Sequence, residues 1–171
     1  MGKSTDEFIP VNLAVLTVSD RHDASSDTSG DYLRAAASEA GHRVVDHAIV
    51  GEDRYRIRAI VSRWIASTDV QVVVVNGGTG FNVKNSTPEA LQPLFDREIA
   101  GFGELFRMFS YEDIGGSTLQ SRAVAGMANG TLIFAVPGST RACESAWTRI
   151  IAEQIDARTA PCNFVSHLKK L

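Results

Sequence analysis

Cysteine is nearly absent. Cys143 and Cys162 are the two in 171 residues, too few and too scattered for a disulfide framework or a zinc site, so a reducing compartment is expected. Positive charge is not in excess either, with 17 Lys and Arg against 20 Asp and Glu and a net charge of −3. That leaves no broad field for nucleic acid or a membrane surface, so partners should be small molecules or other subunits. No apolar stretch stands behind the first residues, which argues against a signal or anchor and for a cytoplasmic protein. Gly2-Lys3-Ser4-Thr5 imitates the end of a P-loop but lacks the preceding strand and first glycine. His22, His42, His47 and His167 are scattered and read as surface residues. There is no Cys/His cluster, no Ser/His/Asp arrangement, no internal repeat and no linker. With 44% hydrophobic and 22% charged residues, one domain over 1–171 is expected, with a flexible arm at 1–8.

Strand and helix patterns alternate through the chain, which predicts an α/β architecture with a mostly parallel sheet. Strands are expected at 12–18, 43–50, 70–75 and 131–136. Helices are expected at 31–40, closed by Gly41, and across the face carrying Ile57, Ile60, Val61, Trp64 and Ile65, where Trp64 reads as core. Thr87-Pro88-Glu89 supplies an N-cap, a first-turn proline and an early acid for a helix running to about residue 96. A short Phe-rich helix follows at 101–109, and an amphipathic one carries Ala142, Ala146, Trp147, Ile150 and Ile151. The tail from 160 reads as an ordered extension with a frayed basic tip.

The strongest local signal is Val72-Val73-Val74-Val75-Asn76-Gly77-Gly78-Thr79-Gly80. A β-branched run buried on both faces ends in glycines that bring bare backbone N–H groups, with the Thr79 hydroxyl, against an anion. A tight strand-to-helix turn has the same spacing. If the loop binds nucleotide, a β-branched residue at Gly78 should block the anion while leaving the fold intact. Two more polar corners follow strands. Residues 19–30 are too long and too rich in Asp, Ser and Thr for a simple βα turn, and Pro137-Gly138-Ser139-Thr140 puts hydroxyls at a helix N-terminus, where ordinary capping is the other reading. In a parallel sheet all three converge on one edge. Carboxylates, hydroxyls and N–H groups suit phosphates with a hard cation such as Mg²⁺, and phosphoryl or nucleotidyl transfer needs positioning and charge more than a base.

Thr17-Val18-Ser19-Asp20, Asp27-Thr28-Ser29-Gly30, Gly77-Gly78-Thr79-Gly80, Thr87-Pro88-Glu89-Ala90, Ser121-Arg122-Ala123 and Pro137-Gly138-Ser139-Thr140 together closely resemble the family of molybdenum cofactor biosynthesis proteins that includes the molybdopterin adenylyltransferases. The resemblance runs from about residue 8 to 170. It implies a three-layer αβα molybdopterin-binding fold, a homo-oligomer that is a trimer or hexamer, and adenylylation of molybdopterin by Mg-ATP with release of pyrophosphate. It implies a nucleotide and pterin pocket at Ser19, Asp20, Asp27, Thr28, Ser29 and Gly30. Gly77, Gly78, Thr79 and Gly80 become the nucleotide loop, and Pro137, Gly138, Ser139 and Thr140 the corner for the pterin phosphate. Asp20, Glu52 and Asn85 take the catalytic and Mg²⁺-binding positions.

Two positions depart from the pattern of the active enzymes. Glu52 stands where they carry Asp and keeps the charge. Asn85, in Lys84-Asn85-Ser86-Thr87-Pro88, stands where they carry a carboxylate and loses it. Removing one preorganised electrostatic group from such a site costs about 3–4 kcal/mol in the transition state, or two to three decades of rate. A binding protein that keeps the pocket without turnover, and a nucleotide pyrophosphatase of related fold, are the alternatives.

Overall fold

The computed structural model describes residues 4–171. Six strands form one sheet in the order β2-β1-β3-β6-β5-β4. β1 (Asn12–Val18), β2 (Arg43–Val50), β3 (Val72–Asn76) and β6 (Thr131–Val136) run parallel, β5 (Val124–Ala128) pairs antiparallel with β6, and β4 (Arg97–Glu98) pairs antiparallel with β5. Alternate residues of β3 face opposite cores. Val72 and Val74 pack with α1 (Thr28–Glu39), α4 (Ala100–Ile114) and α5 (Thr140–Ala146), and Val73 and Val75 pack with α2 (Arg54–Ala66) and α3 (Thr87–Leu91). This is the expected three-layer αβα sandwich, and it explains why β1, β3 and β6 are apolar on both faces. The chain leaves β1 toward β2 on one side and returns to β3 on the other. The carboxyl ends of β1 and β3 therefore flank a topological switch point, where α/β sheets open a crevice.

Several boundaries differ from expectation for local reasons. α1 begins at Thr28, not at 31, because Asp27 caps it by accepting from the Gly30 N–H at 2.9 Å. Gly30 is thus inside a helical turn, and a Cβ there would stand 2.1 Å from Asp27 Oδ2. α3 stops at Leu91, five residues short, because Pro93 has no N–H to continue the ladder and a 3₁₀ turn takes over. Its N-cap is Ser86 rather than Thr87, whose hydroxyl bonds the Gly77 carbonyl instead. α4 continues to Ile114, and the last helix passes through a π turn at Trp147–Ile151 into α6 (Ala152–Gln154).

β4 and β5 were outside the sequence expectation. β5 is Val-Ala-Gly-Met-Ala, poor in β-branched residues. It forms because Asn129 and Gly130, with φ of 48° and 70°, turn it directly onto β6. His42 is not a surface residue. It is buried, tilted against Phe8 at 5.1 Å between ring centroids, and accepts from the Val11 N–H through Nδ1. Burial pushes its imidazole down, partly offset by Asp156. Of the arm expected at 1–8, residues 1–3, with Gly2 and Lys3 of the false P-loop, lie outside the described residues. Thr5 donates its N–H to the Ala157 carbonyl at 2.8 Å, and Arg158 stacks over Phe8. No helix of the described residues is long and apolar enough to cross a membrane.

Candidate functional site

The three polar corners line one cavity of about 450 Å³ at the carboxyl ends of β1, β3 and β6. Its floor is a buried chain of hydrogen bonds. Asn76 Nδ2 donates to Thr17 Oγ1 at 2.9 Å, and Thr17 donates to Asp27 Oδ2 at 2.7 Å. These bonds tie β3 to β1 and β1 to the start of α1, so the strand ends are locked together beneath the opening. Asp27 is thereby committed on both oxygens to the scaffold, although it borders the cavity. Thr17 and Asn76 carry this floor. The polar break that Asn76 makes in a valine strand was the available signal.

The glycine loop is built by close approach. Gly77 has φ of 96°, and a Cβ on it would stand 2.2 Å from the Val18 carbonyl oxygen. Gly78 has φ of 66° and lies against Thr87, whose N–H donates to the Gly78 carbonyl at 3.0 Å. Both glycines take the left-handed region that side chains resist. Thr79 is 1% exposed and its hydroxyl has no hydrogen-bond partner among the described residues. Thr79 lines the cavity, so an orphan donor or acceptor is left at its wall.

The first and third corners are laced by hydroxyls. Ser29 Oγ donates to the Gly138 carbonyl at 2.8 Å and lies 3.2 Å from Thr140 Oγ1, which is 3.1 Å from Thr28 Oγ1. Ser139 caps α5 by accepting from the Ala142 N–H. The starts of α1 and α5 therefore converge, and both present N–H groups and positive dipole ends to the same cavity. Pro137 and Gly138 pass close to the glycine loop, with Gly138 placed so that a Cβ would stand 3.1 Å from Gly77 Cα.

Glu52 and Asn85 line one end of the cavity and, with Asp20, Ser19, Arg21 and Lys84, an adjoining smaller recess. Asp20 Oδ1 accepts from the Glu52 N–H at 2.9 Å, and Glu52 Oε2 accepts from Asn85 Nδ2 at 2.9 Å. No group of three or more His, Cys, Asp or Glu side chains forms a metal site among the described residues. Two carboxylates that share a ligand's phosphates do, however, suit Mg²⁺, which keeps few protein ligands. Asp20 and Glu52 fit that requirement. Asn85 turns an N–H, not an oxygen, toward Glu52. Ser19 Oγ is occupied by the N–H groups of Arg21 and His22, which hold the exposed loop above, and His22 itself reaches the cavity wall. No Lys or Arg lines the main cavity among the described residues. An anion there is met by N–H groups and hydroxyls, with Arg21 and Lys84 confined to the recess.

Residues 14–157 match the family described as a probable molybdopterin binding domain. The chain is 66% identical over 170 residues to molybdenum cofactor biosynthesis protein B of Escherichia coli (strain K12), covering 99% of this chain and 100% of that protein. Identity to the protein of the same name from Bacillus cereus is 41% over 146 residues, with 85% and 86% covered. A crystal structure of a molybdenum cofactor biosynthesis protein B superposes with a TM-score of 0.84 at 40% identity, covering 86% of this chain and 92% of that one. The tungsten cofactor synthesizing protein MoaB from Pyrococcus furiosus does so with a TM-score of 0.74 at 34% identity, covering 82% and 90%.

Proposed function

The chain belongs to the molybdopterin-binding family of molybdenum cofactor biosynthesis proteins, and from that membership we propose that it is a cytoplasmic protein that binds molybdopterin and Mg-ATP and adenylylates molybdopterin. A role in molybdenum cofactor biosynthesis comes with membership at this identity. For the transfer itself, the supporting observation is one cavity where a glycine loop and two helix N-termini meet Glu52, with Asp20 beside it in the adjoining recess.

In the proposed reaction a phosphate oxygen of molybdopterin attacks the α-phosphorus of ATP. The bond from that phosphorus to the oxygen bridging to the β-phosphate breaks, and pyrophosphate leaves. The nucleophile is already an anion, so the demand is orientation and charge rather than a base. We assign the N–H groups of 77–80 and the Thr79 hydroxyl to the nucleotide phosphates. Thr28, Ser29, Ser139 and Thr140 are assigned to the pterin phosphate. Asp20 and Glu52 would hold Mg²⁺, which when bound supplies the positive charge that the main cavity lacks.

Incubation with molybdopterin and ATP labelled at the α-phosphate tests the reading. Transfer of label to the pterin with release of pyrophosphate, abolished by chelation of Mg²⁺, is the expected result. The second reading, a binding protein without turnover, is favoured by the Asn85 amide, which donates to Glu52 where a further carboxylate would serve a cation. Binding of both ligands with no adenylylated product in a single turnover would establish it instead.

A further inference from the structure

The loop after the glycines is held by a side chain that does not line the cavity. Arg122 stands in the extended connection entering β5 and borders a different groove, with Gln92, Gly103 and Arg107. Its backbone N–H donates to the Thr79 carbonyl at 3.0 Å. Its guanidinium donates through Nε to the Gly80 carbonyl at 2.9 Å and through Nη2 to the Asn85 carbonyl at 2.5 Å. Nη1 donates to the carboxylate of Glu89 in the first turn of α3. One residue thus grips both ends of the segment 79–85 and the helix that follows it. Arg58 holds the same helix from the other side, through the Glu89 and Ala90 carbonyls.

Asn85 connects this grip to the cavity. Its carbonyl accepts from Arg122 while its side-chain amide donates to Glu52, and its Oδ1 lies against Gly80, where a Cβ would stand 2.6 Å away. Burial would raise the Glu89 carboxyl, but the hydrogen bonds and charge of Arg122 outweigh it and hold the group below its ordinary range. The anchor therefore stays ionised at neutral pH.

We infer that Arg122 is a positioning residue that presets the glycine loop for nucleotide and acts on the cavity through Asn85 and Glu52. A glycine loop without such a tie has to be ordered by its ligand, at a cost in affinity. The planar guanidinium reaches three separate acceptors at once, which the point charge of a lysine does not. The inference rests on the nucleotide reading above.

Its test compares the free protein with Arg122→Met and Arg122→Lys. Hydrogen exchange follows the amides of 79–86 against those of β3, and calorimetry gives the affinity for Mg-ATP. In Arg122→Met the loop amides should exchange about tenfold faster with β3 still protected, a local opening rather than unfolding. The Kd for Mg-ATP should rise about tenfold, and Arg122→Lys should restore neither quantity. Unchanged loop exchange in folded Arg122→Met, or full recovery by lysine, overturns the inference. If Arg122→Met does not fold, Glu89→Gln removes one anchor and should shift loop exchange in the same direction, and no shift there overturns it as well. Wild-type protein that binds no Mg-ATP would refute the nucleotide reading, while the exchange comparison would still decide the role of Arg122.

Discussion

Asn85 is the residue that most divides the proposed transfer from binding without turnover. Its amide N–H sits 2.9 Å from Glu52 Oε2, so Glu52 is satisfied without a cation. An aspartate there would set two carboxylates side by side, a pair that repels when empty and is relieved by a divalent ion. Asn85→Asp is therefore expected to lower the melting temperature in chelator and to gain more from Mg²⁺ than the wild type does. It should also raise adenylylation by about tenfold or more, equivalent to about 1.4 kcal/mol in the barrier. Thermal unfolding across a Mg²⁺ titration, with product analysis on the same samples, checks both, and a Mg²⁺ response equal to wild type would count against a metal-directed role. Gly78 is a poorer probe than its sequence context suggests. A Cβ there would stand 2.3 Å from Thr87 Oγ1, in a residue that itself holds the Gly77 carbonyl. Gly78→Val therefore disturbs the loop's own packing, so a loss of ATP binding in it would not isolate the blocking of an anion.

At the scale of the element, α4 is two-sided. Phe102 and Phe106 are buried against the sheet, while Leu105, Met108, Tyr111 and Ile114, at three-residue spacing, are each exposed by more than 40%. Leu119 just beyond is 84% exposed. An exposed apolar stripe of this kind is where a contact with another subunit is expected. If the trimer-based assembly that the family resemblance implies forms, this stripe is expected to lie within it. Leu105→Glu combined with Met108→Glu should weaken that assembly by about 2 kcal/mol or more, from the loss of two buried apolar side chains. Light scattering at micromolar concentration should then give a monomer mass for the double variant and a multiple of it for the wild type. A monomeric wild type would remove the expectation.

The molecule as a whole has an end that opens in a cavity and an end that is fastened. Opposite the cavity, the tail expected to fray at its basic tip is tied beneath β3 and β6. Lys169 donates its N–H to the Gly130 carbonyl at 2.8 Å, and its Nζ donates to the Ile65 and Ser67 carbonyls at 2.8 and 2.7 Å, closing the C-terminus of α2. Gln71 Nε2 returns a bond to the Lys169 carbonyl at 2.9 Å. Lys169→Met keeps the aliphatic stem and removes the charged donor, so it should cost about 1.5–3 kcal/mol of unfolding free energy by denaturant titration. Nucleotide affinity should be unaffected, because the cavity lies at the other ends of the strands.

Patterns that repeat along the chain were legible without coordinates. Alternation of strand and helix, the doubly apolar strands and the three polar corners were enough for an α/β architecture with a mostly parallel sheet and for the edge where the corners meet, because periodicity and turn chemistry are local properties; the three-layer αβα arrangement came from the family resemblance. The Asn129-Gly130 turn was not read from the sequence. β5 was missed as well, because its Ala and Gly residues lack strand character and Gly126 is dictated by the Phe95 ring, against which a Cβ would stand 2.3 Å away. Only the tertiary structure could show that Asp27 is committed to Thr17 and Gly30, that the Asn85 amide donates its N–H to Glu52, and that Arg122 grips a loop about 40 residues upstream. Each of these depends on side chains brought together by crossovers. The separation in sequence carries no trace of that distance, and hydrogen bonds of this kind are decided by the packing of the layers.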